Sequence, residues 1–234
     1  MTSIWRRFQY YGIGFIIGLI FVVFFFQNRG CAWLPGNRVK NTLLDKVLVI
    51  PESEQAKLEA KGLDRSVIIS FLNDGQIQFK ESLKDQSVFP KAYLISQEIN
   101  GTTHRLQFSI YEDSYISPIH YLEEDETPQL YTQLEGKGTF IRIPRDSALV
   151  YIDRSNYVQC KARGLNDNTP NTIARQLIET GQIDFSRSNL MLPKAEHYIY
   201  FVQNDTLEVQ AKTIWFESRI TFKDFYWKEK LDCE

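Results

Sequence analysis

Gly75-Gln76-Ile77-Gln78-Phe79 returns 106 residues later as Gly181-Gln182-Ile183-Asp184-Phe185. Upstream, Ala60-Lys61-Gly62-Leu63 returns as Ala162-Arg163-Gly164-Leu165 at an offset of 102. Downstream, Pro90-Lys91-Ala92 returns as Pro193-Lys194-Ala195 at an offset of 103. Three matches in the same order, separated by a four-residue insertion near residues 166–169 and a three-residue deletion before Pro193, read as an internal duplication.

The apolar pattern repeats with the words. Val67, Ile68, Phe71 and Leu72 correspond to Ile173, Ala174, Leu177 and Ile178, each set one face of a helix. Asp64 in the first copy and Thr169-Pro170 in the second fit the start of that helix. Gly75 and Gly181 fit its end as left-handed residues. A shorter helix precedes each, near residues 53–61 and 155–163. After Pro90 the period becomes two. Residues 93–99 lead to Asn100-Gly101, a type I′ hairpin signal, and residues 105–110 return. A third strand follows at 115–122, with Pro118 suggesting an edge or a bulge. The second copy offers 197–203, a turn at Asn204-Asp205, then 207–216 and 220–227. Short apolar runs at 47–50 and 149–152 add a strand before each helix pair. The expected fold is α+β: an N-terminal transmembrane helix plus a tandem repeat of units, each two helices followed by a three-stranded antiparallel sheet. The expected divisions are an anchor at 1–30, a first repeat at 31–122, an acidic linker at 123–137 and a second repeat at 138–234.

The anchor is read from residues 10–26, YYGIGFIIGLIFVVFFF, which carry no charge. They span about 25 Å as a helix, and Trp5, Phe8 and Gln9 extend it toward the roughly 30 Å hydrocarbon core. A retained signal anchor is preferred to a cleaved signal peptide or to lipidation at Cys31. Arg6 and Arg7 favour a cytoplasmic N-terminus, with the body in the periplasm and a cytoplasmic-facing body as the alternative. Gly14 and Gly18 form a GxxxG that lets helix backbones approach, so pairing with another membrane protein or with a second copy is expected there.

Charge and chemistry exclude more than they select. The 234 residues hold 27 Lys+Arg against 29 Asp+Glu, a net charge of −2, so no nucleic-acid partner is expected. Three Cys are too few for a disulfide scaffold. Cys160 occupies the position of Leu58 and reads as packing, and a Cys31–Cys233 bridge requires an oxidising compartment. His104, His120 and His197 lie in separate strands, and no zinc spacing, nucleophile elbow or phosphate loop accompanies them. No catalytic residue, metal or cofactor is therefore expected. The acidic run 123–126 reads as a solvated connector. Phe222, Phe225, Tyr226 and Trp227 carry aromatics of both parities on one strand, so part of this run is expected to face outward as a partner surface.

The anchor pattern around Tyr10-Tyr11-Gly12, the phrase Gly36-Asn37-Arg38-Val39 and the run Gly75-Gln76-Ile77-Gln78-Phe79-Lys80-Glu81-Ser82 resemble a group of small membrane-anchored Bacteroidota proteins that carry a domain of unknown function. This chain departs from them in holding two copies, and the resemblance implies no catalytic residues. By topology the units are similar to small envelope modules of outer-membrane assembly factors, and a tandem pair resembles a protein inhibitor of an enzyme. The expected function is a non-catalytic, single-pass protein of the inner membrane, in contact with the lipid bilayer and acting as an interaction or assembly module of the bacterial envelope. The alternative is an anchored enzyme or ligand-binding protein with a site between the repeats.

Overall fold

The computed structural model describes residues 2–28, 34–85, 87–144, 149–152, 170–203, 207–216 and 219–227. The chain forms two compact units, residues 1–39 and 40–234. The first contains α1 (Thr2–Asn28) and the first half of α2 (Pro35–Leu44). The body follows in the order β1 (Val47–Pro51), α3 (Glu52–Ala60), α4 (Arg65–Asn73), β2 (Gln76–Ile77), β3 (Lys91–Ile99), β4 (Thr102–Ile110) and β5 (Ile116–Leu122). It continues through β6 (Lys137–Arg142), β7 (Leu149–Tyr151), α5 (Pro170–Thr180), β8 (Gln182–Asp184), a short 3-10 turn at Phe185–Arg187, β9 (Glu196–Gln203), β10 (Leu207–Phe216) and β11 (Arg219–Trp227).

This architecture corrects the expected fold in two respects. Among the described residues no helix is long and apolar enough to cross a membrane. The stretch of α1 whose side chains are described, residues 9–22, rises about 21 Å at 1.5 Å per residue, short of the roughly 30 Å hydrocarbon core. The body is also not a pair of separate three-stranded units. Among the described residues it is one eleven-stranded mixed sheet, in the order β2-β3-β4-β5-β1-β6-β8-β9-β10-β11-β7.

The strand order explains why a duplicated sequence closes into one sheet. The first half contributes β2-β3-β4-β5-β1 and the second β8-β9-β10-β11-β7. In each, the strand that comes first in the chain lies parallel to the last one, β1 to β5 and β7 to β11. β6 stands between the halves, antiparallel to β1 on one side and to β8 on the other. A single apolar core then runs through both, from Val47, Val49 and Ile116 through Phe140 to Ile183, Trp215 and Phe222.

Local chemistry sets the elements. Asp64 caps α4 through its carboxylate, which accepts from the Val67 N–H at 2.9 Å and the Ser66 hydroxyl at 2.6 Å. Asn100 and Gly101 take positive φ, 52° and 79°, and close β3 onto β4 as a two-residue type I′ turn. Gly75 and Gly181 are not left-handed. A side chain at Gly75 would place its Cβ 2.6 Å from the Phe71 carbonyl oxygen, and one at Gly181 would meet the backbone of Leu177. These glycines are required by close approach, at the same place in both halves.

Two further expectations change. Pro118 is neither at an edge nor in a bulge. Residues 116–118 of β5 pair with β1 and residues 119–122 pair with β4, so the proline lies where the strand passes from one partner to the other. The Pro-Lys-Ala match is one residue out of structural phase: Ile77 pairs with Ile95 and Ile183 with Ile199, an offset of 104 between the two strands. A one-residue slip turns a strand over, so His197 faces the same side as Ile199. Cys31, Cys160, Cys233, Thr169, the expected helix at 155–163 and the Asn204-Asp205 turn lie outside the described residues.

Gly138 makes β6 possible. A Cβ there would lie 2.6 Å from Val49 Cγ1 and collide with the Phe185 ring, and both neighbours are fully buried. Gly138→Ala is therefore expected to lower the stability of the full-length protein by about 1–3 kcal/mol through overpacking. Urea denaturation in detergent measures this. An unchanged midpoint would mean that β6 does not sit against both walls.

Candidate functional site

Three places were candidates for function: the apolar helix, the aromatic strand and the histidines. On α1 every residue from 9 to 22 except Gly12 is exposed. Tyr11 is 80 %, Phe15 70 % and Ile20 62 % exposed. Successive side chains turn by 100°, so the exposed Ile, Leu, Phe and Val side chains cover the whole circumference. Gly14 and Gly18 open gaps in that surface, with nothing within 4 Å of an added Cβ at either position.

The aromatic strand is largely internal, which corrects the expected partner surface. Phe222 and Phe225 are buried and stack with parallel rings, centroids 5.6 Å apart. Alternation alone would send them to opposite faces. The ladder between β10 and β11 slips between Lys212 and Thr213: Lys212 faces Asp224 and Thr213 faces Phe222. That irregularity reverses the parity and turns both rings inward. Tyr226 is half exposed, and of Trp227 only the backbone is described.

The histidines do not meet. His104 shares a face with Leu106 and Tyr121, and its Nδ1 lies 3.4 Å from the Tyr121 hydroxyl. His120, opposite Gln107, points to the other face and stacks on Tyr131 with centroids 4.1 Å apart. His197 packs edge-on against Trp215 in the second half, at 5.5 Å. The Nδ1 atoms of His120 and His197 are buried without a hydrogen-bond partner. Desolvation lowers both pKa values to about 4, with the Lys57 charge adding to the effect at His120. Both rings are neutral packing groups at neutral pH.

The linker is more than a solvated connector. Its acidic side chains 123–126 are exposed. Arg105 gathers its backbone, donating to the carbonyls of Glu123, Glu124 and Glu126 at 2.9, 2.6 and 3.2 Å. Beyond it, buried Gln107 takes both the N–H and the carbonyl of Gln129, and the Tyr111 hydroxyl donates to the Tyr131 carbonyl at 2.6 Å. The linker is thus a strap hydrogen-bonded to β4 and to Tyr111 just beyond it, with Tyr131 stacked on His120 of β5. Its far end forms one wall of an open cleft of about 650 Å³, with Thr132 and Gln133 facing Ser186, Arg187, Leu192 and Glu196. Arg187 is held over the Tyr198 ring at 3.5 Å, and Glu196 is paired with Lys212 at 2.9 Å. Among the described residues that line the cleft there is no histidine. Among the described residues, no three His, Cys, Asp or Glu side chains gather as a metal site.

No protein-family model matches the chain, and neither a curated protein nor a solved structure matches it.

The histidines make the body acid-sensitive. Each ring titrates near 6.5 when unfolded and near 4 when folded. Between those values the unfolded chain binds more protons, so stability falls as pH drops through that window, by about 3 kcal/mol per ring. His197→Leu removes its share of the loss. Urea midpoints at pH 7 and pH 4.5 are expected to differ less for His197→Leu than for the unaltered chain. Equal differences would mean that the ring is not buried in its neutral form.

Proposed function

We propose that the protein is a non-catalytic, membrane-attached interaction module of the bacterial envelope, held at the inner membrane by the apolar surface of α1, with the sheet body on the periplasmic side. The observation that carries this reading is the bare apolar circumference of α1. It amounts to on the order of 1,000 Å² of apolar surface, beyond the few hundred that a soluble monomer tolerates. A partner helix covers one stripe of such a cylinder, whereas lipid covers all of it. Gly14 and Gly18 then offer a close-approach stripe within the bilayer, to a second copy or to another membrane protein. The resemblance to anchored Bacteroidota proteins supports the envelope.

The non-catalytic part of the reading is supported by how the reactive side chains are used. The three histidines are packing groups in three different environments, and the cleft holds a cation stacked on a ring and an anion paired with a lysine. A second reading, a membrane-attached protein that binds a small polar ligand, rests on the same cleft. Native mass spectrometry of the protein extracted from its own membranes tests it: an adduct lost in Arg187→Ser supports ligand binding.

Flotation with phospholipid vesicles tests the principal reading. The full chain is expected to float with the vesicles and to resist carbonate extraction, while a chain lacking residues 1–30 stays in the soluble fraction. Flotation of the shortened chain would move the membrane contact to the body, and failure of the full chain to float would overturn membrane attachment.

A further inference from the structure

The duplicated halves differ at one edge. In the second half β8 is covered by β6: the Phe185 N–H donates to the Gly136 carbonyl at 2.8 Å, the Phe140 N–H reaches the Gly181 carbonyl at 3.4 Å, and Gly138 faces Ile183 between them. In the first half the equivalent strand, β2, ends the sheet. Gln76 pairs with Ser96, and the Gln78 N–H bonds to Leu94, so residues 76 and 78 face inward to β3. By alternation the Gly75 carbonyl, both backbone groups of Ile77 and the Phe79 N–H face outward. Among the described residues, Gly75 O and Phe79 N have no backbone partner. The side chains record the same difference. Ile183 and Phe185 are 0 % and 1 % exposed, whereas Ile77 and Phe79 are only half-buried.

We propose that the outer edge of β2 is a docking edge for an extended segment of a partner protein, which adds as a strand antiparallel to β2 as β6 adds to β8. The proposal rests on the interaction-module reading and names the surface it uses. The occupant's chemistry follows from the occupied copy, where the added strand reads Gly136-Lys137-Gly138-Thr139-Phe140. A residue without a side chain belongs opposite Ile77, because Phe79 stands where Phe185 crowds Gly138. An N–H two residues further along meets the Gly75 carbonyl. Short edge strands often serve to prevent pairing. Here the shortness of β2 is no obstacle, since β8 is itself three residues long and holds β6.

The probe is a synthetic peptide with the sequence of residues 135–143, added to the full-length protein in detergent micelles with isoleucine methyl groups labelled for NMR. The peptide is expected to shift the Ile77 methyl signal and to slow hydrogen exchange at the Ile77 and Phe79 amides. N-methylation of the peptide at the phenylalanine equivalent to Phe140, or valine in place of the glycine equivalent to Gly138, is expected to weaken binding at least tenfold. A response at Ile183 instead of Ile77 would mean that the peptide displaces β6, and equal binding of the N-methylated peptide would mean that no strand is added; either overturns the proposal. A concentration-dependent dimer of the protein that the peptide dissolves would assign the edge to a second copy and overturn the partner-protein assignment. Because the measurement is made in micelles, it stands apart from vesicle flotation, whose failure would remove the membrane reading and leave the edge untouched.

Discussion

The body depends on a strand with no side chain at its centre. β6 must lie within ladder distance of β1 and β8 at once, while Val49 and Phe185 converge on the same point from the two halves. Only glycine leaves that point open. Once β6 is seated, Phe140 enters the common core and stacks on Trp215 at 5.8 Å, so the halves share their packing as well as their hydrogen bonds. Arg65 adds a second tie. From the first turn of α4 it donates to the Phe140 carbonyl on β6 at 3.2 Å and to the Ile178 carbonyl in the last turn of α5. A cation at the carbonyl end of a helix is favourably placed, and here the helix belongs to the other half.

A duplicated unit is not obliged to use its copies alike. The end of β5 beyond β1 exposes a ladder position that no strand fills, and α3 fills it: the buried Glu54 carboxylate accepts from the Tyr121 N–H at 3.1 Å. The first half also carries the strap, fixed by Gln107 and Tyr111. The second half spends its equivalent of the β2 edge on β6. The asymmetry lies in what covers each edge, while the strand order inside each half is the same.

The duplication, the Asn100-Gly101 turn, the Asp64 cap and the strand at residues 47–50 were legible because each is a local signal with one physical solution. The joining of the halves was not. β6 contains a glycine, a threonine and two charged residues among its six, a weak pattern for a central strand, and the role of Gly138 depends on neighbours 89 and 47 residues away in sequence, Val49 and Phe185. The aromatic strand misled for a related reason. Parity counts residues, and one ladder irregularity at Lys212 changes the count without leaving a mark in the sequence. The third repeat match misled by one residue, which is enough to reverse a face. The membrane expectation was drawn from seventeen uncharged residues. A run without charge does not by itself make a crossing helix: among the described residues none is long and apolar enough to span a membrane.

The surroundings of His120 resemble, at first sight, a place for chemistry: Tyr131 lies on the ring and Glu54 and Lys57 are close enough to shift the neighbouring groups. The hydrogen bonds argue otherwise. One Glu54 oxygen is committed to the Tyr121 N–H and the other to Lys57 Nζ at 3.3 Å. No carboxylate is left to orient the imidazole, and desolvation with a nearby cation keeps the ring from taking up a proton near neutrality. A base of pKa about 4 with an unpaired Nδ1 is poorly matched to proton transfer at pH 7. It is well matched to holding the strap by an aromatic face, since Tyr131 needs a flat neutral partner and Gln107 beside it supplies the polar fixings. The same site therefore fastens the linker whose far end walls the cleft, and its reactivity is given up to packing.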